Sequence, residues 1–172
     1  MKTSKLLFSA LILSLSMLTS CSTDDGPDCL PAYTGDLTAE EATLVGEWEL
    51  SSILADKEID ITDDDVDNPS KDLYAQYSDC FQDAMYTFYQ NRNFLFEQGS
   101  NAENCTNKAS QDGTWKFAVD KLSIVACYEQ ILEIELNDDK TSFSSTAVQN
   151  YRDVNNQTIQ ATVVFTYSKV IE

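Results

Sequence analysis

The sequence predicts an all-β fold, an eight-stranded up-and-down antiparallel β-barrel with one or two short helices. Apolar and polar residues alternate with a period of two in eight segments, which is typical of strands with one buried face. Most connections between these segments are short and contain turn residues, as hairpins do. Eight short strands with one apolar face can close into a barrel, and closure leaves no sheet edge exposed.

The predicted elements follow one another along the chain. Strands are predicted at residues 45–54, 84–90, 93–98, 113–118, 121–126, 129–137, 140–149 and 158–169. Hairpin turns are predicted at 90–93, 119–121 and 137–140. Thr38 and Glu41 predict a capping box that opens a short helix before the first strand. Two connections are long, 55–83 and 99–112, and residues 70–80 within the first are predicted to be helical.

Aromatic side chains on the strands are the candidate lining of the barrel. They are Trp48, Tyr86, Phe88, Phe94, Phe96, Trp115, Phe117, Phe143, Phe165 and Tyr167. A small barrel is usually filled by such side chains. If a cavity remains among them, it is apolar and suits a small hydrophobic molecule. The alternation of residues leaves both possibilities open.

The composition is strongly acidic and lacks histidine. The chain has 29 Asp and Glu against 11 Lys and Arg, a net charge of −18. Such a surface repels nucleic acid, so we expect no nucleic-acid partner. Without histidine, the Ser-His-Asp and Cys-His nucleophile systems are excluded. No Gly-rich phosphate loop is present either, and we expect neither an enzyme nor a cofactor.

An acidic run at residues 56–67 is a weak candidate for calcium binding. Asp63, Asp65 and Asp67 match the first three ligands of a calcium-loop pattern, and carboxylate oxygens are the ligands that calcium prefers. The pattern then fails, because Asn68 replaces the glycine and Tyr74 replaces the bidentate glutamate. The sequence therefore favours a solvated acidic loop without a metal, with calcium binding as the alternative.

The first twenty residues predict a targeting segment. Lys2 and Lys5 precede an apolar stretch at 6–18 that is too short to span a bilayer. It ends in Leu18-Thr19-Ser20-Cys21, which resembles the lipobox of bacterial lipoproteins. The resemblance implies that residues 1–20 are removed and that Cys21 is lipidated and anchors the chain to a membrane. An ordinary secretion signal is the alternative.

Residues 21–37 are predicted to be an acidic, flexible tether, followed by one folded domain at 38–172. The residues 22–25, Ser-Thr-Asp-Asp, are similar to the acidic export signal of surface-displayed lipoproteins in certain Gram-negative bacteria. That similarity implies an outer-membrane lipoprotein exposed on the cell surface. A tether that faces the periplasm is the alternative.

A wider pattern extends over residues 42–169. It begins with Gly46 and Trp48, a GxW motif at the start of the first strand. It continues with Cys80, Asp83, Tyr86-Thr87-Phe88, Asn91, Phe94, Glu97-Gln98-Gly99-Ser100, Cys105 and Gly113-Thr114-Trp115-Lys116-Phe117. The pattern resembles the lipocalin-like domains of small bacterial lipoproteins. In lipocalins the tryptophan plugs the closed end of the barrel under an arginine, and Lys169 is the candidate for that position here.

The resemblance also implies disulfides and a function. An even number of cysteines besides Cys21 predicts disulfides in an exported chain. The family pattern has a pair at Cys80 and Cys105, which leaves Cys29 to pair with Cys127. The implied function is a membrane-anchored lipoprotein that binds a small hydrophobic ligand in or at the mouth of the barrel. The alternative is an envelope protein with a filled barrel that presents acidic loops to a protein partner of unknown kind.

Overall fold

A computed structural model describes residues 29–62, 64 and 66–171 of the chain. These residues form nine strands in one antiparallel sheet, in which β1 pairs with β9 as well as with its other neighbours. The strands are β1 Gly46–Ile59, β2 Ser70–Asp72, β3 Met85–Phe88, β4 Asn93–Gln98, β5 Ala109–Ala118, β6 Lys121–Val125, β7 Glu129–Leu136, β8 Ser142–Arg152 and β9 Thr158–Lys169. All except β2 belong to a closed up-and-down barrel, so the predicted fold is confirmed.

Every predicted strand is present, and three of them extend beyond the predicted bounds. β1 continues to Ile59, β5 begins at Ala109, and β8 continues to Arg152. All three extensions pair with neighbouring strands, for example Ala109 with Gln98. The sequence does not predict the extensions of β1 and β5, because their side chains do not alternate cleanly between polar and apolar. Backbone hydrogen bonds continue there beyond the packed part of the barrel.

The helix predicted at residues 70–80 is wrong for most of its length. Residues 70–72 form β2 against β1, followed by a 3₁₀ turn at Tyr74–Gln76 and the single-turn helix α1 at Asp79–Gln82. The reason is tertiary: the Leu73 amide donates to the carbonyl oxygen of Ile53 at 2.9 Å, and the Leu73 side chain is fully buried. No helix in the described residues is long and apolar enough to cross a membrane.

The barrel has two different ends. The closed end contains the turns at 89–92, 119–120 and 137–141 and a 3₁₀ helix at Glu41–Leu44. The mouth contains the connections at 60–84, 99–108, 126–128 and 153–157. The predicted capping box opens the 3₁₀ helix: the Thr38 amide donates to the Glu41 carboxylate at 2.7 Å, and the Glu41 amide donates to the Thr38 hydroxyl at 3.2 Å.

Residues 29–37 form a strap along the outside of the barrel. At the mouth, the Leu30 amide donates to the carbonyl oxygen of Cys127 at 3.2 Å. Halfway along, the Tyr33 amide donates to the Thr114 hydroxyl at 2.9 Å. The strap ends at the closed end, beside Arg92. The predicted tether therefore meets the barrel earlier than its predicted boundary at residue 37.

The targeting segment and the lipidation site lie outside the described residues. This applies to the predicted signal peptide, residues 1–20, to Cys21 and to the tether as far as residue 28. Their assignments stay predictions from the sequence.

Candidate functional site

Most of the predicted lining residues fill the closed half of the barrel. Seven are at most 9% exposed, namely Trp48, Phe88, Phe94, Trp115, Phe117, Phe143 and Tyr167. Their rings pack on one another, with Phe88 and Trp115 at a centroid distance of 5.2 Å, for example. Phe96 and Phe165 are only partly buried and lie nearer the mouth. A ligand inside the barrel would therefore lie in its mouth half.

The interior of the mouth half is accessible. Residues that pair directly across antiparallel strands share a face of the sheet, so the partner of an interior residue also points inward. Three such pairs are Phe96 with Gln111, Ile124 with Gln130, and Ala161 with Gln149. The three glutamines are exposed although they face the interior. We call this accessible mouth half, in which Phe96, Phe165 and the three glutamines occupy inward-facing positions, the cup.

Two tyrosines form the floor of the cup. Tyr86 and Tyr167 meet edge to face with ring centroids 5.1 Å apart, and Tyr86 also contacts Phe96 at 4.8 Å. Within the described part of the chain, neither hydroxyl has a hydrogen-bond partner. In the same residues no fully enclosed side-chain polar atom lacks a partner. Both hydroxyls therefore reach the accessible space of the cup.

The two floor hydroxyls are neutral donors at ordinary pH. Burial raises the pKa of Tyr86 to about 12. Burial, and next the neighbouring Tyr86, raise the pKa of Tyr167 as well. A neutral phenol offers one O–H donor and accepts weakly. The floor is therefore suited to a group that accepts hydrogen bonds, such as a carbonyl or an ether oxygen.

Residues 73–82 form a cover over one side of the mouth. The rings of Tyr77 and Phe81 stack at 4.0 Å and pack against the core. The Gln76 side chain fixes the cover to the end of β1, because its amide group donates to the Ile59 carbonyl oxygen at 2.9 Å and accepts from the Ile61 amide at 2.8 Å. The cover thus closes the β1 side of the mouth.

A clasp ties the cover to the connection between β4 and β5. It consists of the disulfide Cys80–Cys105, which confirms the predicted pair, and of the Asp83 carboxylate. The carboxylate accepts hydrogen bonds from the amides of Gly99, Asn101 and Ala102. Burial alone would raise the pKa of Asp83, but these amides outweigh it and hold the pKa below its ordinary value.

Gly99 is required in this clasp. Its φ of +72° lies in the left-handed region, and a Cβ atom there would come within 2.6 Å of the Asn107 carbonyl oxygen. Any other residue would push the 99–108 connection away from the clasp. The family pattern around Cys80, Asp83, Gly99 and Cys105 thus describes one local structure.

A pocket of about 440 Å³ lies between the cover and the 99–108 connection. Phe81 contributes one apolar wall, and Gln98 and Ala109, which pair across β4 and β5, contribute the barrel rim. Asn107 and Lys108 complete the polar side. Because its rim residues point inward, this pocket opens beside the cup and enlarges the mouth toward β4 and β5.

The second predicted disulfide, Cys29–Cys127, is confirmed at the mouth. Cys127 lies in the connection between β6 and β7, and Cys29 begins the strap. The bridge links positions 98 residues apart in sequence. It fixes the start of the strap to the rim of the barrel.

The GxW tryptophan plugs the closed end as the resemblance implies. Trp48 is fully buried, and its indole N–H donates to the Leu44 carbonyl oxygen at 2.7 Å. The Lys169 ammonium lies 5.1 Å from the centroid of the Trp48 ring and donates to the Thr43 carbonyl oxygen at 3.0 Å. Gly46 has a φ of +130°, and a Cβ atom there would lie 3.0 Å from Lys169 Cε.

Arg92 is a structural residue that the sequence analysis missed, because it lies in a predicted hairpin turn. Its buried guanidinium donates to both Glu41 carboxylate oxygens, at 2.7 and 2.9 Å. It also donates to the carbonyl oxygens of Gly35 at 2.9 Å and Asp36 at 2.8 Å. Burial alone would raise the pKa of Glu41, but Arg92 and the neighbouring amides lower it to about 2.

The acidic run is organised by a residue outside the calcium pattern. Asp60 accepts hydrogen bonds from the Thr62 amide and hydroxyl and from the Asn68 amide. Asp63 and Asp65 lie outside the described residues, and Asp67 is exposed. Among the residues that are described, no group of three His, Cys, Asp or Glu could hold a metal ion. A solvated loop stays the favoured prediction for this run, and calcium binding stays its alternative.

A closed eight-stranded barrel with a packed closed half and an accessible mouth is compatible with a lipocalin-like binding protein. The chain belongs to a family described as Domain of unknown function (DUF5004), whose sequence profile matches residues 22–170. The match includes the strap, the barrel and the cover. No curated protein is similar enough to the chain to count as a match.

Proposed function

We propose that this protein is a membrane-anchored, lipocalin-like lipoprotein that binds a small hydrophobic ligand at the mouth of its barrel. The observation that carries the proposal is the cup floor, where two neutral tyrosine hydroxyls lack partners among the described residues. Both hydroxyls reach the accessible space of the cup, and a ligand oxygen that accepts from one of them gains a hydrogen bond of about 1 kcal/mol.

The cup indicates the chemistry of the ligand. Phe96 and Phe165 offer apolar walls, while Tyr86 and Tyr167 offer donors at the floor. A net charge of −18 disfavours anions. The ligand class is therefore a small uncharged molecule with an apolar body and a carbonyl, ether or hydroxyl oxygen that enters first.

The membrane anchor in this proposal rests on the lipobox residues. Lipid on Cys21 would hold the barrel outside the cytoplasm, and the acidic residues after it favour the cell surface over the periplasmic face of the outer membrane. The proposed role is non-enzymatic: the chain has no histidine to activate a serine or cysteine nucleophile, and nothing in the sequence marks a catalytic pair among its 29 acidic residues.

Native mass spectrometry of the protein purified from its own host is the direct test, because a retained ligand appears as added mass. Affinity is then measured with Nile red, an uncharged dye with an apolar body and a carbonyl acceptor. Tyr86→Phe and Tyr167→Phe should each weaken dye binding about fivefold, the effect of one lost hydrogen bond.

Tyr89→Phe is the matched control, since Tyr89 is exposed at the closed end. Unchanged dye binding in this variant supports the assignment to the floor. If all three variants bind the dye equally, or if the protein carries no ligand and binds no dye, the cup is not a ligand site.

The packed closed half favours a second candidate, an envelope protein that presents its loops to a protein partner. Its acidic connection at 60–69 exposes Asp64 and Asp67 at the mouth. An empty, dye-inert barrel that is crosslinked to one envelope protein through this connection would support that function over ligand binding.

A further inference from the structure

The strap determines at which end of the barrel the N-terminal segment is attached. Cys29 is bonded to Cys127 on the rim of the mouth, and the Leu30 amide donates to the Cys127 carbonyl oxygen at 3.2 Å. From there the strap runs to the closed end, where Arg92 binds the carbonyl oxygens of Gly35 and Asp36. The residues before Cys29 therefore start at the mouth.

This exit point limits how the barrel sits on a membrane. Seven residues lie between Cys21 and Cys29, and the eight Cα-to-Cα steps that join the two cysteines span at most about 28 Å when fully extended. The ten residues of β5, tilted as barrel strands are, give a barrel length of about 25 Å. With lipid on Cys21, the mouth cannot lie farther than one tether length from the bilayer, whereas the closed end can lie up to one barrel length farther away.

We propose that the Cys29–Cys127 bridge orients the mouth toward the bilayer that carries the anchor. This inference rests on the lipid anchor of the proposed function. It also deepens that function: the cup exchanges its ligand with the adjacent membrane surface, so the ligand class narrows to uncharged amphiphiles that partition into the outer part of a bilayer.

The rim beside the bridge suits this contact. Tyr128, next to Cys127, is 73% exposed, and Leu30, next to Cys29, is 47% exposed. A tyrosine presents an apolar ring and a polar tip, which is the composition found at membrane interfaces. Val119 at the closed end is also exposed, so the direction of the strap, and not apolar exposure, decides the orientation.

Energy transfer from tryptophan to a lipid headgroup dye tests the orientation. The lipidated full-length mature protein is reconstituted into phosphatidylcholine vesicles that contain a small fraction of dansyl-phosphatidylethanolamine. Tyr128→Trp places the donor at the mouth, in the connection that follows β6. Val119→Trp places the donor at the closed end, in the turn that precedes β6. The native Trp48 and Trp115 are fully buried and give a background that the unmodified protein measures.

Transfer should be several-fold higher for Tyr128→Trp than for Val119→Trp. The additional exchange of Cys29→Ser and Cys127→Ser frees the start of the strap and should shrink that difference, while circular dichroism reports whether the barrel is intact. Equal or higher transfer from Val119→Trp in vesicle-bound protein overturns the orientation and leaves the anchor standing. Failure of the protein to float with the vesicles overturns the anchor and, with it, the orientation.

If the barrel remains folded without the bridge and the difference between the two positions is unchanged, the bridge is not the orienting element. If removal of the bridge unfolds the barrel, the comparison of Tyr128→Trp with Val119→Trp in the bridged protein still decides the orientation.

Discussion

Replacing Arg92 with methionine should destabilise the fold by about 3–5 kcal/mol, the usual cost of breaking a buried ion pair by removing one partner. The structure gives the physical reason for this loss. Glu41 is 1% exposed, so its charge would remain buried beside only its amide donors. The Gly35 and Asp36 carbonyl oxygens would also lose their donors. A change of this size lowers Tm by about 10 °C in a domain of this length.

Urea unfolding followed by tryptophan emission measures the effect, since Trp48 and Trp115 are fully buried in the folded state. Arg152→Met is the matched control, because Arg152 is exposed on β8 and should change stability by less than about 0.5 kcal/mol. The double variant Glu41→Met/Arg92→Met should be more stable than Arg92→Met alone, because no charge is left unpaired. A loss below about 1 kcal/mol for Arg92→Met would refute the anchoring role.

The stabilisation that the Glu41–Arg92 pair provides should depend on pH. The folded pKa of Glu41, about 2, lies below the value of an unfolded glutamate, about 4.3. Its stabilising contribution is therefore complete above about pH 4.3 and is lost as the pH falls toward 2. Without Arg92, burial raises the folded pKa, and acidification relieves the buried charge. The stability gap between the unmodified protein and Arg92→Met should narrow between pH 7 and pH 3; a constant gap contradicts this account.

Three further substitutions test the clasp and the closed end. Gly46→Ala should cost about 1–3 kcal/mol in urea unfolding, because an alanine at a φ of +130° is strained and its Cβ crowds Lys169; an unchanged midpoint would contradict the crowding. Asp83→Asn should speed hydrogen exchange of the backbone amides in the 99–108 connection while the barrel strands stay protected. The reason is that an NH₂ donor replaces one of the two carboxylate oxygens that accept from these amides. The double variant Cys80→Ser/Cys105→Ser should lower stability by about 3 kcal/mol for its loop length in urea unfolding without reductant, where the Cys29–Cys127 bridge stays formed; an unchanged midpoint would contradict the contribution of the Cys80–Cys105 bridge.

The barrel was predictable from the sequence because strand alternation is a local property. Trp115 and Phe117 share a face in the residue order alone, and the structure places both in the core. The cover was not predictable in the same way. Residues 70–80 have a composition that suits a helix, but the backbone of Leu73 bonds to β1, which lies far away in sequence. Long-range partners decided this segment against its local preference.

The sequence predicted which residues line the candidate site, but not how deep their side chains lie or which hydrogen-bond partners they have. Tyr86 and Tyr167 belong to the predicted lining, yet alternation gives only the face of a side chain and not its depth. Whether a phenol meets a partner depends on side chains from several strands. For the same reason Arg92 reads as a turn residue: its partner Glu41 is 51 positions away in sequence, and no local pattern joins them.

The polar groups at the closed end have hydrogen-bond partners, whereas those at the floor of the cup do not, and this contrast favours a binding function. At the closed end, Arg92, Glu41 and Lys169 are buried or half-buried, and each meets partners at hydrogen-bond distance. At the floor of the cup, where the closed half meets the mouth half, the hydroxyls of Tyr86 and Tyr167 have no partners among the described residues. A barrel that served only as a scaffold would not need these hydroxyls, because phenylalanine at both positions would keep the ring packing without a polar atom that no described residue binds. Departures from local consistency are expected at functional sites, and here they coincide with the accessible part of the interior.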